Sequence, residues 1–263
     1  MEEKKLFGYG KFDDKGEMIL STYDNAYRDM MMDCRVYRIP AGETREFGRD
    51  GEECAVMLFC GKVTFGWDGK TETVYRKDIW TDGPYCLHIC GGKKMTVKAE
   101  SDIEIWVQYT HNDAEFDSKL YRPEDAPFKY SAINKYGNCA KRRVNTIIDH
   151  DINPKSNFVL GEIINDRGNW SGYLPHRHPQ PELYFFRFDR PEGFGASFQS
   201  DDVFVSKDYS FSAIKGGNLH PQAVAPGYQM YTVWAIRHID GNPWLQTDRC
   251  VDERYLWLDD AEF

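Results

Sequence analysis

Apolar residues along this chain fall in short runs separated by Gly, Asp, Asn and Pro. The runs at 34–40, 55–60, 62–67, 71–75, 94–99 and 103–109 are followed by a second set at 158–163, 183–188, 203–206, 211–214 and 230–236. β-branched and aromatic residues dominate them, and no long stretch carries the 3.6-residue period of an amphipathic helix. That pattern predicts an all-β sandwich or barrel. Between about 111 and 138 the chain turns polar, with Pro123, Pro127 and several acids, and this segment is expected to cross between two halves with at most a short helix.

The halves read as a diverged internal repeat. Gly91-Gly92-Lys93-Lys94-Met95-Thr96-Val97-Lys98-Ala99 resembles Gly216-Gly217-Asn218-Leu219-His220-Pro221-Gln222-Ala223-Val224-Ala225. Upstream of each lies a Glu opening an apolar run, Glu53 in one copy and Glu182 in the other. Two β-barrels are expected, the first over residues 1–125 with the start of the crossing segment and the second over 126–263. In this alignment the first copy has Phe47, Arg49 and Met95 where the second has His176, His178 and His220, so metal is expected in the second barrel alone.

Composition narrows the classes. Apolar residues make up 41% and aromatics 15%, enough for packed cores and too much for a disordered chain. The formal net charge is −9 and no basic face is visible, which argues against nucleic acid while leaving room for a small anionic substrate. Met1-Glu2-Glu3-Lys4-Lys5-Leu6 lacks the apolar stretch of an export signal, and no run approaches the roughly 18 apolar residues of a membrane span. Seven cysteines, an odd count without regular spacing, fit reduced thiols in a cytoplasmic protein with no disulfide. Cys86, His88 and Cys90 would share one strand face, but without a fourth ligand they are read as core.

The chemistry concentrates in Pro175-His176-Arg177-His178-Pro179-Gln180-Pro181-Glu182. Histidines two apart on a strand aim both imidazoles at one face, and Glu182 follows after a short turn with Tyr184 and Phe186 on its side. His220 arrives 38 residues later, after Gly217-Asn218-Leu219. Three imidazoles and a carboxylate suit one divalent first-row ion (Mn, Zn, Fe or Ni) and leave coordination positions open, as catalysis requires. Ordinary surface or core histidines are the alternative; the H-x-H spacing, the placed Glu and the downstream Gly-x-x-His together favour ligands.

At these residues the chain resembles the cupins. The match narrows to the 5-deoxy-glucuronate isomerase family in Trp170-Ser171-Gly172-Tyr173-Leu174-Pro175-His176-Arg177-His178, in Glu182-Leu183-Tyr184-Phe185-Phe186-Arg187-Phe188 and in Pro191-Glu192-Gly193-Phe194-Gly195. It continues in His220-Pro221-Gln222-Ala223-Val224-Ala225-Pro226-Gly227-Tyr228-Gln229-Met230-Tyr231. The resemblance implies a bicupin, two jelly-roll type barrels with the metal in the C-terminal one on His176, His178, Glu182 and His220. It also implies aldose–ketose isomerisation of a small sugar acid, 5-deoxy-D-glucuronate to 5-dehydro-2-deoxy-D-gluconate, in myo-inositol catabolism. A homo-oligomer is compatible with it. The related 4-deoxy-5-hexosulose-uronate ketol-isomerase, a metal-dependent cupin oxygenase and, from a different class, a non-catalytic sugar-binding bicupin are the alternatives.

Isomerisation moves one proton between adjacent carbons and another between their oxygens, so acid–base groups are needed beside the metal. Tyr184 is the candidate relay and Glu192 the candidate base, against packing and a solvent-facing turn respectively. For the substrate carboxylate, strand parity turns Arg177 and Arg187 away from the metal and leaves Lys215 and Arg237 as candidates.

Overall fold

The computed structural model describes residues 4–261; Met1, Glu2 and Glu3 of the charged opening segment lie outside the described residues. Its elements are strands and a few short 3-10 turns, one of which, Tyr136–Asn138, is the only helical element in the polar crossing. No described helix is long and apolar enough to cross a membrane.

The N-terminal barrel is a nine-stranded curled sheet built around one long strand, Glu52–Trp67. The first part of this strand pairs with Tyr85–Ile89 and Ile103–His111, and the second part pairs with Lys70–Arg76 and Met95–Ala99. The C-terminal barrel sets a seven-stranded sheet, centred on Glu182–Phe188, Met230–Arg237 and Phe158–Asn165, against a four-stranded sheet that includes Phe194–Gln199 and Asp202–Lys207. The chain is thus an all-β bicupin. Lys119–Tyr121 closes the first sheet and Lys129–Ser131 joins the second, so the crossing is made in between. The early strand Phe7–Tyr9 does not stay with its neighbours in sequence: it pairs with Ser210–Ile214 of the C-terminal barrel, and Phe7 stacks on Phe204.

The apolar runs lack alternation because both faces of these strands are covered. Along Glu182–Phe188, Tyr184, Phe186 and Phe188 fill the barrel interior, while Leu183 and Phe185 enter a core shared with the other barrel. From the N-terminal side Ala55, Met57 and Phe59 meet them, with Phe59 stacked parallel to Phe185 at 6.0 Å. Cys54, Val56 and Leu58 fill the N-terminal interior together with Phe47 and Met95.

This parity corrects the alignment of the two copies. Cys54 pairs with Ile89 just as Glu182 pairs with Ile214, and each Ile precedes the matching Gly-Gly. Cys54 therefore stands where Glu182 does. Glu53, one residue away, faces the opposite side, since a slip of one residue inverts a strand's faces. There it accepts from Asn157 N at 2.6 Å, Ser156 Oγ at 3.0 Å and Asn112 Nδ2 at 3.1 Å, and meets His88 Nε2 at 2.9 Å. Cys86 and Cys90 are buried as the sequence suggested, and all seven thiols are unpaired.

Candidate metal centre

The three histidines are carried by short, separately anchored segments. His176 sits in His176–Arg177, pairing with Cys250–Val251 near the C-terminus, and Asp252 N donates to Pro175 O at 3.0 Å. His178 and His220 are drawn together by the Gly216-Gly217 turn. Gly217 N donates to His178 O at 2.8 Å, and a Cβ on Gly216 would lie 1.9 Å from Pro179 O, so this approach requires glycine. Glu182 opens its strand immediately below.

Each imidazole is oriented in the same way. The Nδ1 atoms of His176, His178 and His220 lie 2.8, 3.0 and 2.9 Å from the carbonyls of Leu174, Gln180 and Asn218. A carbonyl only accepts, so each Nδ1 carries a proton, and in the neutral ring the lone pair is left on Nε2, the tautomer of a metal-binding histidine. Burial holds His176 well below the usual imidazole range, with the neighbouring His220 ring next in effect. His220 is lowered too, chiefly by burial, against the opposing pull of Glu182.

Glu182 Oε2 lies 3.3 Å from Nε2 of His178 and 3.3 Å from Nε2 of His220, all deeply buried. His220 Nε2 has no hydrogen-bond partner. Acceptors facing one another in a dry site repel unless a proton or a cation lies between them. The donors of His178, Glu182 and His220 lie within 4.8 Å of one another and could hold a metal ion; among the described residues no comparable group lies in the N-terminal barrel. His176 borders the group, its ring 4.8 Å from that of His220 and 6.4 Å from that of His178. The donor set fits a divalent transition ion.

Above these residues opens a cavity of about 630 Å³. Tyr184 lines it, its ring 6.0 Å from that of His220. Burial, then the Glu182 carboxylate, push its phenol well above the ordinary range, so it stays protonated. Glu192 does not reach the cavity. It is exposed on the turn where Gly193 N donates to Arg190 O, beyond the end of the strand that Glu182 opens, so it is corrected to a solvent-facing turn residue.

Among the cations, Arg177 is exposed and Arg187 pairs with Glu104 and Asp208, both away from the site as parity required. Arg237 is also turned away: Ile236 faces the cavity, and Arg237 Nε donates to Thr110 Oγ1 of the other barrel at 2.8 Å. Lys215 does not line the cavity either. Its lining instead includes Arg142, Arg249, Trp234 and Trp244, none of which the sequence singled out. The signal for Arg142 was its parity with Val144 and Thr146, obscured by the basic run Lys141-Arg142-Arg143 that reads as a solvated strand end.

The KduI/IolB family model matches residues 7–258. A 5-deoxy-glucuronate isomerase of Bacillus licheniformis is 26% identical over 224 residues, 75% of this chain and 78% of that protein. The 5-deoxy-glucuronate isomerase of Bacillus subtilis strain 168 is 26% identical over 239 residues, 82% of this chain and 83% of its own length. An IolB-like protein of Salmonella typhimurium LT2 superimposes with a TM-score of 0.84 at 18% identity, over 97% of this chain and 99% of that one. Oxalate decarboxylase of Bacillus subtilis, in a structure concerned with its Mn(II) centres, gives a TM-score of 0.65 at 9% identity, over 90% of this chain and 78% of that one.

Proposed function

Since this chain belongs to the KduI/IolB family, we propose that it is a metal-dependent aldose–ketose isomerase of a deoxy-uronate, with 5-deoxy-D-glucuronate as substrate and 5-dehydro-2-deoxy-D-gluconate as product. The observation that carries the metal requirement is the pair of 3.3 Å contacts from Glu182 Oε2 to the Nε2 atoms of His178 and His220, whose Nδ1 atoms are each held on a backbone carbonyl. We take His176, His178, Glu182 and His220 as the ligands, with His176 completing the set from its adjoining strand.

A divalent ion held there would supply Lewis acidity toward the substrate's carbonyl oxygen. The protein's own part is to exclude water, to orient the sugar and to carry protons. Tyr184, protonated and on the ligand face of its strand, is suited to hold a hydrogen bond to the substrate oxygens and to pass a proton from the C2 hydroxyl to the C1 oxygen. The carbon-bound proton leaves C2 and one is returned to C1, which makes a ketose of an aldose with no net redox change. A sugar-binding protein without turnover would have little use for an open metal site.

The test is turnover of 5-deoxy-D-glucuronate in deuterated water by protein loaded in turn with Mn, Zn, Fe and Ni. Ketose carrying deuterium at the carbon that was the aldehyde is the expected result. Turnover without deuterium would replace proton transfer by a hydride shift. No turnover with any metal, on this sugar or on 4-deoxy-5-hexosulose-uronate, would overturn the isomerase reading.

A further inference from the structure

One guanidinium in the cavity wall is buried without a carboxylate. Arg142 is 7% exposed, and its Nη1 donates to Ala140 O at 2.8 Å and its Nη2 to Tyr173 O at 3.3 Å, both neutral carbonyls. The other buried arginines pair with acids: Arg76 with Glu162 and Arg237 with Asp240, while the largely buried Arg187 meets Glu104 and Asp208. Among the described residues, no carboxylate lies within ion-pairing distance of Arg142. A buried cation without a counter-charge is costly, and two carbonyls offset only part of that cost. The group missing from its surroundings is an anion.

The neighbouring indoles of the wall contribute shape rather than hydrogen bonds. The indole Nε1 atoms of Trp234 and Trp244, side chains that line the same cavity, are buried and have no partner. Their rings lie 5.6 Å apart, and Trp234 lies across Gly161, where a Cβ would come within 2.4 Å of its Nε1. An indole N–H can only donate. Both N–H groups are shut away from the cavity, that of Trp234 against Gly161, so the buried cation that the wall presents is Arg142.

We propose that Arg142 binds the carboxylate of the substrate, so that the cavity selects sugar acids over the corresponding neutral sugars. The inference rests on the isomerase reading in taking this cavity as the substrate site. The planar guanidinium fork meets a carboxylate through two parallel hydrogen bonds, which an ammonium cannot reproduce. With the charged end of a uronate held by Arg142, its aldehyde end is free to face His178, Glu182 and His220. Arg249, exposed at the rim of the same cavity, adds positive potential along the approach.

Calorimetric binding of 5-deoxy-D-glucuronate and of 5-deoxy-D-glucose, which carries an alcohol in place of the carboxylate, tests this on the native protein. The acid should bind roughly 100-fold tighter or more. In Arg142→Gln that preference should vanish, with KM for the acid raised by a similar factor, kcat changed much less, and metal content and circular dichroism as in the native protein. Arg142→Lys should recover only part of the preference. Equal binding of acid and alcohol by the native protein overturns the proposal, whatever the variants do. A folded Arg142→Gln with unchanged KM and preference overturns it as well. Selective acid binding through Arg142 without turnover would keep this inference and remove the isomerase reading; turnover without selectivity would do the reverse.

Discussion

Arg76 of the N-terminal barrel and Glu162 of the C-terminal barrel form a two-pronged ion pair, Nη1 to Oε1 at 2.8 Å and Nη2 to Oε2 at 3.1 Å, with both side chains fully buried. The remaining bonding capacity is largely used. Arg76 also donates to the Leu58 and Asp82 carbonyls, and Glu162 accepts from Tyr231 Oη and Asn145 Nδ2. The pair lies between the barrels, beside the shared apolar core.

Removing one partner should therefore cost more than removing both. Glu162→Gln or Arg76→Met alone is expected to lower unfolding free energy by about 3–5 kcal/mol, because the survivor is a buried charge without compensation. The double variant Arg76→Met/Glu162→Leu should lose clearly less than the sum of the single variants. Denaturant unfolding of the four proteins completes the cycle, and additive losses would show that the pair is not coupled.

Metal is expected at no more than one ion per chain, in the C-terminal barrel. His178→Ala should remove most of it while leaving the circular dichroism unchanged, since one ligand of the set is lost and the strands around it are held by their own pairing. Elemental analysis after dialysis reads this directly. Two tightly bound ions per chain, or full occupancy in the variant, would contradict the assignment.

Tyr184→Phe should lower kcat by about 100-fold or more with metal content retained, the usual scale for losing an acid–base group. Glu192→Gln should leave kcat and KM unchanged, because that carboxylate stands on an exposed turn away from the cavity. Steady-state kinetics of the two variants side by side tests both statements. Equal losses in the two would mean that the cavity is misassigned.

His238 couples the site's wall to acid stability. Its Nδ1 accepts the Trp244 backbone N–H at 2.9 Å, and burial, then His150, lower its imidazole to about 4. The unfolded chain, with an ordinary pKa near 6.5, binds the proton more readily, so the stability tied to His238 falls as pH drops from about 6.5 toward 4, and this group's share changes no further below that. At pH 4.5 this single group should account for roughly 2 kcal/mol of the loss relative to pH 7. His238→Asn keeps an acceptor for Trp244 but takes up no proton, and should shrink the pH 7 to 4.5 difference by that amount. An unchanged difference in chemical denaturation would remove His238 from the account.

What the sequence by itself determined was local and periodic. Runs such as 183–188 and 230–236 announce strands because β-branched and aromatic residues fit a pleated, covered surface. The parity of Glu182, Tyr184 and Phe186 places them on one face wherever the strand lies, and the alternation of His176 and His178 fixes their shared orientation within the chain. The duplicated Gly-Gly turns marked the two barrels for the same reason, since the turn's geometry is written in its own residues. What only the tertiary structure decided was register and company. Glu53 and Cys54 exchange roles through a single residue of pairing, set by Ile89 on another strand. Phe7–Tyr9 leaves its own half to complete the other barrel's sheet. Arg142 is an ordinary basic residue in the sequence. It becomes an anion-seeking group only because the folded wall buries its guanidinium, and no Asp or Glu from the surrounding strands meets it. A charge's partners are non-local, and so is the chemistry that follows from lacking one.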